Sequence, residues 1–343
     1  MYRILLDILC RFSSKKIVVV GDLIADEFLY GRTSRVSREA PVLVLEYRNL
    51  VRLPGGAANA SNNLLDLDCD VTIGGVVGQD EAGRDLVAFL RRKGANVKPI
   101  RKIRSYATPI KTRILAGAHH SAPQQIVRLD RIPYPGDIKP RFTWRLLEKD
   151  VQSADGIIVS DYGYNTLNSR LMAGLSRAAK SRKIPLVVDS RFCMANFKDV
   201  TSVTPNITEL EASTGISIGS DARLLRKVGT QVLRKQRLGS LLVTQGRFGM
   251  TLFEPHKAPL QIPVYGTDEV ADVTGAGDTV IAVFALGLAC GASAEHSARL
   301  ANYAGGIVVM KRGTATVTRA ELRAAVRKDL SIEDRSPVQD QNN

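Results

Sequence analysis

The chain has 343 residues, 44% hydrophobic and 24% charged, with a formal net charge of +14. That length holds one large α/β domain or two smaller ones, and the composition buries a sizeable core, which excludes a fibrous or wholly disordered chain. The positive surplus suits phosphorylated small molecules, but the basic residues are scattered in short pairs such as Lys15-Lys16 and Arg91-Arg92 and Trp144 is the single tryptophan, so no nucleic-acid partner is expected.

Met1 to Cys10 is apolar but interrupted by Asp7. It is too short to span a bilayer, and no small-residue cleavage site follows, so residues 1–15 read as an extension with a fraying or packing helix, with no membrane partner. Ile17 to Asp22 is an unbroken apolar run ending in a turn, as in a buried parallel strand. Pro41 to Tyr47 is β-rich, Gly56 to Leu67 helical, Val71 to Val77 a strand and Asp80 to Arg92 an amphipathic helix. Thr108 to Leu115 and Gln125 to Leu129 alternate like strands, and Pro133 to Pro140 is a connector. A regular rhythm follows: strands at Gly156–Ser160, Pro185–Asp189, Val203–Thr204 and Ser240–Thr244, helices at Ser169–Ser181, Ile207–Ser213 and Asp221–Arg237, then long apolar helices over Gly275–Cys290 and Ala294–Met310. Alternating strands and helices predict an α/β fold with a mainly parallel sheet covered on both faces, and the earlier β-rich pieces a small added sheet. The polar end, Asp334 to Asn343, is predicted to be disordered. Cys10, Cys69, Cys193 and Cys290 lie far apart, as reduced thiols of a cytoplasmic protein would, and the adjacent pair His119-His120 does not share a helix face, so no metal site is expected there.

The strongest pattern is Asp272-Val273-Thr274-Gly275-Ala276-Gly277-Asp278, just before a long apolar helix. Glycines there let the backbone turn sharply, and the free N–H groups of a helix start, reinforced by its dipole, attract an anion. A carboxylate in the same turn would repel a bound phosphate, but it makes sense as a base beside a phosphoryl group in transfer. The bland alternative is an ordinary capped helix.

The whole string resembles the C-terminal signature of the ribokinase-like (PfkB) carbohydrate kinases. Further stretches resemble the same family in the same order: Gly21-Asp22, Gly55-Gly56-Ala57-Ala58-Asn59, Gly78 to Gly83, Asn206-Ile207-Thr208-Glu209 and Thr244 to Gly249. The likeness runs over about residues 16–328 and implies a ribokinase-like three-layer α/β/α domain with a β lid at about 26–50 and 104–130. It implies Asp278 as catalytic base and Gly275, Ala276 and Gly277 as anion hole. Asp22, Gly55, Gly56 and Asn59 would bind the sugar. ATP would lie near Asn206, Thr244, Gly246, Gly249 and Asn302, with Mg2+ held through water by Glu209 and Asn206. Lids of this family also pair subunits, so a homodimer is expected.

Within the family, Tyr30 to Pro41, with Thr112-Arg113, Arg128-Leu129-Asp130, Ser160 to Gly163 and Thr204-Pro205-Asn206, resembles the branch acting on D-glycero-β-D-manno-heptose 7-phosphate on the route to ADP-heptose and lipopolysaccharide. Arg35, Lys111, Arg113 and Arg128 are then candidates for the substrate phosphate. Three stretches depart from that branch: Arg38 replaces a proline, Tyr164-Asn165 a Lys-Gly, and Asp189-Ser190-Arg191 an Asp-Pro-Lys. Many relatives carry a fused nucleotidylyltransferase domain; this length and the missing H-x-G-H motif predict a stand-alone kinase. Kinases for ribose, fructose or adenosine stay open beside the heptose reading, as does a non-catalytic ligand-binding relative.

Overall fold

The computed structural model describes residues 1–117, 123–133, 142–266 and 271–333. His119-His120, most of the Pro133–Pro140 connector and the tail from Asp334 lie outside them. Along the chain, α1 (Tyr2–Cys10) precedes β1 (Lys16–Gly21), the long strands β2 (Leu23–Val36) and β3 (Leu43–Gly56), and α2 (Ala57–Asp66). Then come β4 (Asp70–Gly74), β5 (Val76–Gly78), α3 (Glu81–Arg92), β6 (Arg101–Ile103), β7 (Ile110–Gly117) and β8 (Gln124–Arg131). The second half runs α4 (Glu148–Ser153), β9 (Gly156–Asp161), α5 (Ser169–Arg182), β10 (Leu186–Ser190), β11 (Ser202–Val203), α6 (Ile207–Thr214), α7 (Ala222–Gln236), β12 (Ser240–Thr244), β13 (Met250–Phe253) and β14 (Leu260–Ile262). It closes with α8 (Ala276–Ala289), α9 (Ala294–Val309) and α10 (Arg319–Glu333).

Ile17 to Val20 are apolar without a break because β1 is covered on both faces. Ile17 and Val19 enter one core cluster, and Val18 and Val20 the other. The eight-stranded sheet has the order β14-β13-β12-β11-β10-β9-β1-β4, parallel from β4 to β12 and antiparallel at β13 and β14. One layer of helices, with Leu64 of α2, Phe284 of α8 and Leu300 of α9, packs on its first face. The other layer, with Val151 of α4, Leu175 of α5, Leu210 of α6 and Val228 of α7, covers the second. α8 is apolar all round because it is enclosed, and buried from Asp278 to Gly287. Among the described residues no helix is long and apolar enough to cross a membrane.

The remaining strands make a four-stranded sheet, β3-β2-β7-β8, in which β2 pairs antiparallel with β3 and parallel with β7. β2 starts two residues after β1 ends, so the small sheet leaves directly from a strand end of the large one. Glu27 of β2 accepts hydrogen bonds from Arg52 of β3 at 2.9 Å and Thr112 of β7 at 2.8 Å, which locks three strands together.

Two expectations change, and a third narrows to one of its two alternatives. Val71 to Val77 is not one strand. The chain turns off at Gly75, whose carbonyl accepts the Arg101 N–H, and Val76–Gly78 pairs with β6 instead of β1. The β-rich piece at Pro41–Tyr47 enters a strand only at Leu43, and that strand runs on to Gly56, because pairing with β2 carries it through sequence without clean alternation and past two register shifts. α1 packs rather than frays: Leu5, Ile8 and Leu9, with Phe12 just beyond it, are all at most 1% exposed and join the cluster that holds Leu322 and Val326 of α10.

Candidate active site

The C-terminal ends of the parallel strands deliver Asp22 after β1, Tyr162 after β9, Arg191 after β10, Asn206 after β11 and Gln245-Gly246 after β12. This is the edge where open α/β sheets bind ligands. The start of α8 faces them. Asp272 shapes that turn: its carboxylate accepts the N–H of Thr274 at 2.9 Å and that of Gly313 at 3.0 Å. Gly275 caps the helix with φ +78, a left-handed conformation that side chains resist, and a Cβ there would lie 2.5 Å from Asn59 Nδ2. Of the expected anion-hole donors, the Ala276 N–H is turned to the Val273 carbonyl at 3.3 Å. Among the described residues the N–H groups of Gly275, Gly277 and Asp278 have no partner, so Ala276 alone of the expected donors is turned away and the Asp278 N–H joins the free ones.

Asp278 is 4% exposed, and both of its oxygens are held. Asn59 Nδ2 donates to Oδ2 at 2.9 Å, and Tyr162 Oη donates to Oδ1 at 3.0 Å. Asn59 is in turn fixed by Asn63, whose Nδ2 donates to the Asn59 carbonyl at 3.0 Å, while Asn63 Oδ1 accepts the Thr279 hydroxyl at 2.9 Å. Burial pushes the Asp278 carboxyl up to about 6, against the two hydrogen bonds and with the nearby Asp26 adding to the rise. A carboxylate poised there is ionised at neutral pH yet more basic than a solvated aspartate.

Asp22 requires a correction. It was expected to hold sugar hydroxyls, but its carboxylate, 1% exposed, accepts the N–H groups of Tyr162 at 2.8 Å, Tyr164 at 3.1 Å and Thr166 at 3.2 Å. Burial and those three bonds turn the carboxylate to the loop backbone rather than to a ligand. The carboxylate presented beside the glycine run is Asp26, four residues along β2; it receives Arg113 at 2.9 Å and Thr314 Oγ1 at 3.3 Å. Gly55 leaves room for it, since a Cβ there would fall 2.7 Å from Asp26 Oδ2. Gly56, with φ +57, gives the same clearance to Tyr162. The signal for Asp26 was its place on the strand leaving β1; the signal for Tyr162 was its position in the Ser160-to-Gly163 stretch.

The four phosphate candidates separate. Arg113 is committed to Asp26, and Arg128 forms a two-pronged pair with Asp130 at 2.8 and 2.9 Å. Arg35 is exposed at the far end of β2. Lys111 is buried, 7% exposed, and among the described residues no carboxylate lies within ion-pair distance of it. Its ammonium sits 4.3 Å from the centre of the Tyr162 ring, and burial, with Arg191 nearby, lowers its pKa to about 8. Arg191 Cζ lies 4.5 Å from the same ring, and the carboxylates of Asp278, Glu209 and Asp189 are near enough to act on its charge. Of the departures from the heptose branch, Asn165 has φ +66, a left-handed conformation that asparagine tolerates in place of glycine.

The nucleotide candidates divide as well. Asn206, Thr244 and Gly246 line one cleft of about 540 Å3 with Phe248 and Gln261, joined by a bridge between Asn206 and Thr244. Gly249 closes the turn, its carbonyl accepting the Gln245 N–H at 2.8 Å. Asn302 is not on that cleft's wall; its amide donates to the Pro263 carbonyl at 2.8 Å. Asn206 and Glu209 form a reciprocal capping box at 2.8 and 2.9 Å. That leaves Glu209 Oε1 outside the two capping bonds. Among the described residues no group of three metal-ligating side chains exists, so these two fit a magnesium ion only through its waters.

Over residues 14–321 the sequence matches the family described as pfkB family carbohydrate kinase. It is 42% identical over 322 residues to the bifunctional protein HldE of Trichlorobacter lovleyi, covering 92% of this chain and 64% of that protein. It is 41% identical over 310 residues to HldE of Geobacter metallireducens, covering 89% and 61%. The chain thus spans less than two thirds of the length of these curated relatives. Among solved structures, Arabidopsis thaliana ribokinase complexed with ribose and ATP superposes with a TM-score of 0.70 at 18% identity, over 91% of this chain and 99% of that one. Phosphofructokinase-2 from Escherichia coli in complex with potassium gives 0.69 at 18%, over 92% and 99%. Those two show the ribokinase-like α/β fold. With a buried carboxylate at a helix start on the ligand-binding edge of that fold, and a family match spanning nearly the whole sequence, the chain belongs to the pfkB family of carbohydrate kinases and is a sugar kinase.

Proposed function

We propose that the chain transfers the γ-phosphoryl group of ATP to a hydroxyl of D-glycero-β-D-manno-heptose 7-phosphate, giving the 1,7-bisphosphate. The observation that carries the transfer chemistry is Asp278, held by Asn59 and Tyr162 beside the unpartnered N–H groups of Gly277 and Asp278. Asp278 takes the proton of the acceptor hydroxyl, and the helix start neutralises charge on the phosphoryl oxygens. Asp26 accepts from sugar hydroxyls, whereas Asn59, expected there as well, is fully buried with its amide donating to Asp278 and Gly275, and so holds the base instead. ATP lies in the Asn206–Thr244–Gly246 cleft, where Glu209 would hold magnesium through water and the ion would supply charge neutralisation for the phosphates. The small sheet acts as a lid that excludes water. Its exposed apolar residues, among them Val36, Tyr47 and Leu129, support a homodimer through that sheet, readable as twice the chain mass in light scattering.

The heptose assignment is supported by the Tyr30-to-Pro41 stretch and by Lys111, the buried cation left without a carboxylate. ADP release is measured with heptose 7-phosphate, sedoheptulose 7-phosphate, fructose 6-phosphate, fructose, ribose and adenosine. Preference for heptose 7-phosphate is expected; preference for another acceptor discards the heptose assignment. Lys111→Met is expected to raise KM for phosphorylated acceptors by roughly tenfold or more, the scale of a hydrogen bond to a charged group, and to spare unphosphorylated ones. An equal effect on both rejects Lys111 as the phosphate ligand.

The same pair of groups predicts the pH profile. Asp278 must be ionised, so kcat/KM falls as pH drops through about 6. Lys111 must be charged, so kcat/KM falls again as pH rises through about 8. A profile flat across pH 6 would remove Asp278 as the base.

A further inference from the structure

Tyr162 is clamped to a degree that packing alone does not need. Its N–H donates to Asp22 Oδ2 at 2.8 Å, and Asp22 also accepts the N–H groups of Tyr164 and Thr166 further along the loop. One buried carboxylate therefore fixes the whole loop that carries the ring. The Lys111 ammonium and the Arg191 guanidinium lie 4.3 and 4.5 Å from the ring centre. The ring edge is closed by Gly56, where a Cβ would come within 3.2 Å of Cε2. What this clamp presents is one polar atom, Oη, to Asp278 Oδ1 at 3.0 Å. The opposite oxygen of Asp278 is held from α2 by Asn59.

We propose that Tyr162 is a positioning residue for the base, fixing the Asp278 carboxylate through its hydroxyl, and that Asp22 acts on the reaction only by seating Tyr162. The proposal rests on the reading of Asp278 as the base. Burial keeps the phenol protonated far above neutral pH, so Tyr162 is always a donor to Asp278 and never competes for its proton. A donor to the ionised carboxylate favours that form. The charged groups facing Asp278 are Asp26 and Asp189, which oppose its ionisation, and Arg191 and Lys111, which favour it. Tyr162→Phe leaves all four, and the ring under the two cations, in place. It removes Oη alone.

The test is Tyr162→Phe in the full chain, with Asp278 titrated directly by carboxyl-13C NMR and assigned through its loss in Asp278→Asn. Expected are a kcat lowered roughly 10- to 100-fold, the scale of a hydrogen bond to a charged acceptor, with KM for both substrates little changed. The Asp278 titration and the acid limb of the rate profile both move to higher pH. Asp22→Asn, which replaces one acceptor oxygen by a donor, moves both in the same direction. Thermal melting is read for each variant, and if Asp22→Asn does not fold, Tyr162→Phe decides alone. An unmoved Asp278 titration in Tyr162→Phe overturns the proposal; so does a raised sugar KM with normal kcat, which makes Tyr162 a substrate contact. If the wild-type chain phosphorylates no acceptor, the kinase reading fails by itself, and the NMR titration still reports whether Tyr162 governs Asp278.

Discussion

Asp278→Asn lowers kcat by about three to four orders of magnitude, the scale of losing a general base and loosening the acceptor's placement, while calorimetry finds ATP binding retained. Asparagine keeps the shape of the group. Its carbonyl oxygen can still accept from Asn59, and its amide can donate to the Tyr162 oxygen, so the neighbouring elements stay in place. What it lacks is a lone pair able to take a proton. The stability of the variant separates chemistry from folding. The Asp278 carboxyl is raised to about 6 in the folded chain, so the folded state binds that proton more tightly than the unfolded one. The wild type therefore loses stability as pH rises from the ordinary aspartate range through about 6 and carries the full cost above it. Asp278→Asn removes that cost, so it melts at the same or higher temperature than wild type at pH 8, with the gap narrowing towards pH 4. A variant both stable and near-normal in turnover would exclude Asp278 as the base.

Gly275→Ala is the second large effect. Alanine at φ +78 is strained by about 1–2 kcal/mol, and its Cβ falls 2.5 Å from Asn59 Nδ2 and 2.8 Å from Thr314 Cγ2. Neither neighbour gives way freely: Asn59 is fully buried and holds Asp278, and Thr314 contacts Asp26. The substitution should displace the base and the free N–H groups together, and kcat should fall by about 100-fold or more. Gly277→Ala is the informative contrast. Nothing lies within 4 Å of its added Cβ, and it sits inside α8. Its fold should be unharmed, as denaturant midpoints would report, and any loss of turnover then measures obstruction of the incoming phosphoryl group. Equal and small effects of both substitutions would mean that the turn at Gly275 does not set the geometry of the site.

Much of the central architecture was legible in the sequence because it depends on local pattern. Runs apolar on both faces, such as Ile17–Val20 and Gly156–Ser160, can only be buried strands, and helices such as Asp80–Arg92 and Asp221–Arg237 declare their caps, with Asp80 accepting from Gly83 and Asp221 from Arg223 and Leu224. The long pairing of β2 with β3 was not legible, because its stability comes from cross-strand partners such as Glu27 and Arg52, which no periodicity along one strand reveals. The site divides along the same line. The turn from Asp272 to Asp278 announces its chemistry, since glycine spacing and a helix start are local properties. Which carboxylate faces a ligand is not local: Asp22 and Asp26 are both acids on the chain leaving β1, and only the loop at Tyr162, Tyr164 and Thr166, brought back beside β1 by the pairing with β9, turns Asp22 inward and leaves Asp26 at the glycines. Lys111, Arg113 and Arg128 are equivalent as letters. Asp26 and Asp130 claim the two arginines, and burial without an ion-paired acid among the described residues distinguishes the lysine, so the tertiary structure alone decided which of the three positive charges lacks an acidic partner.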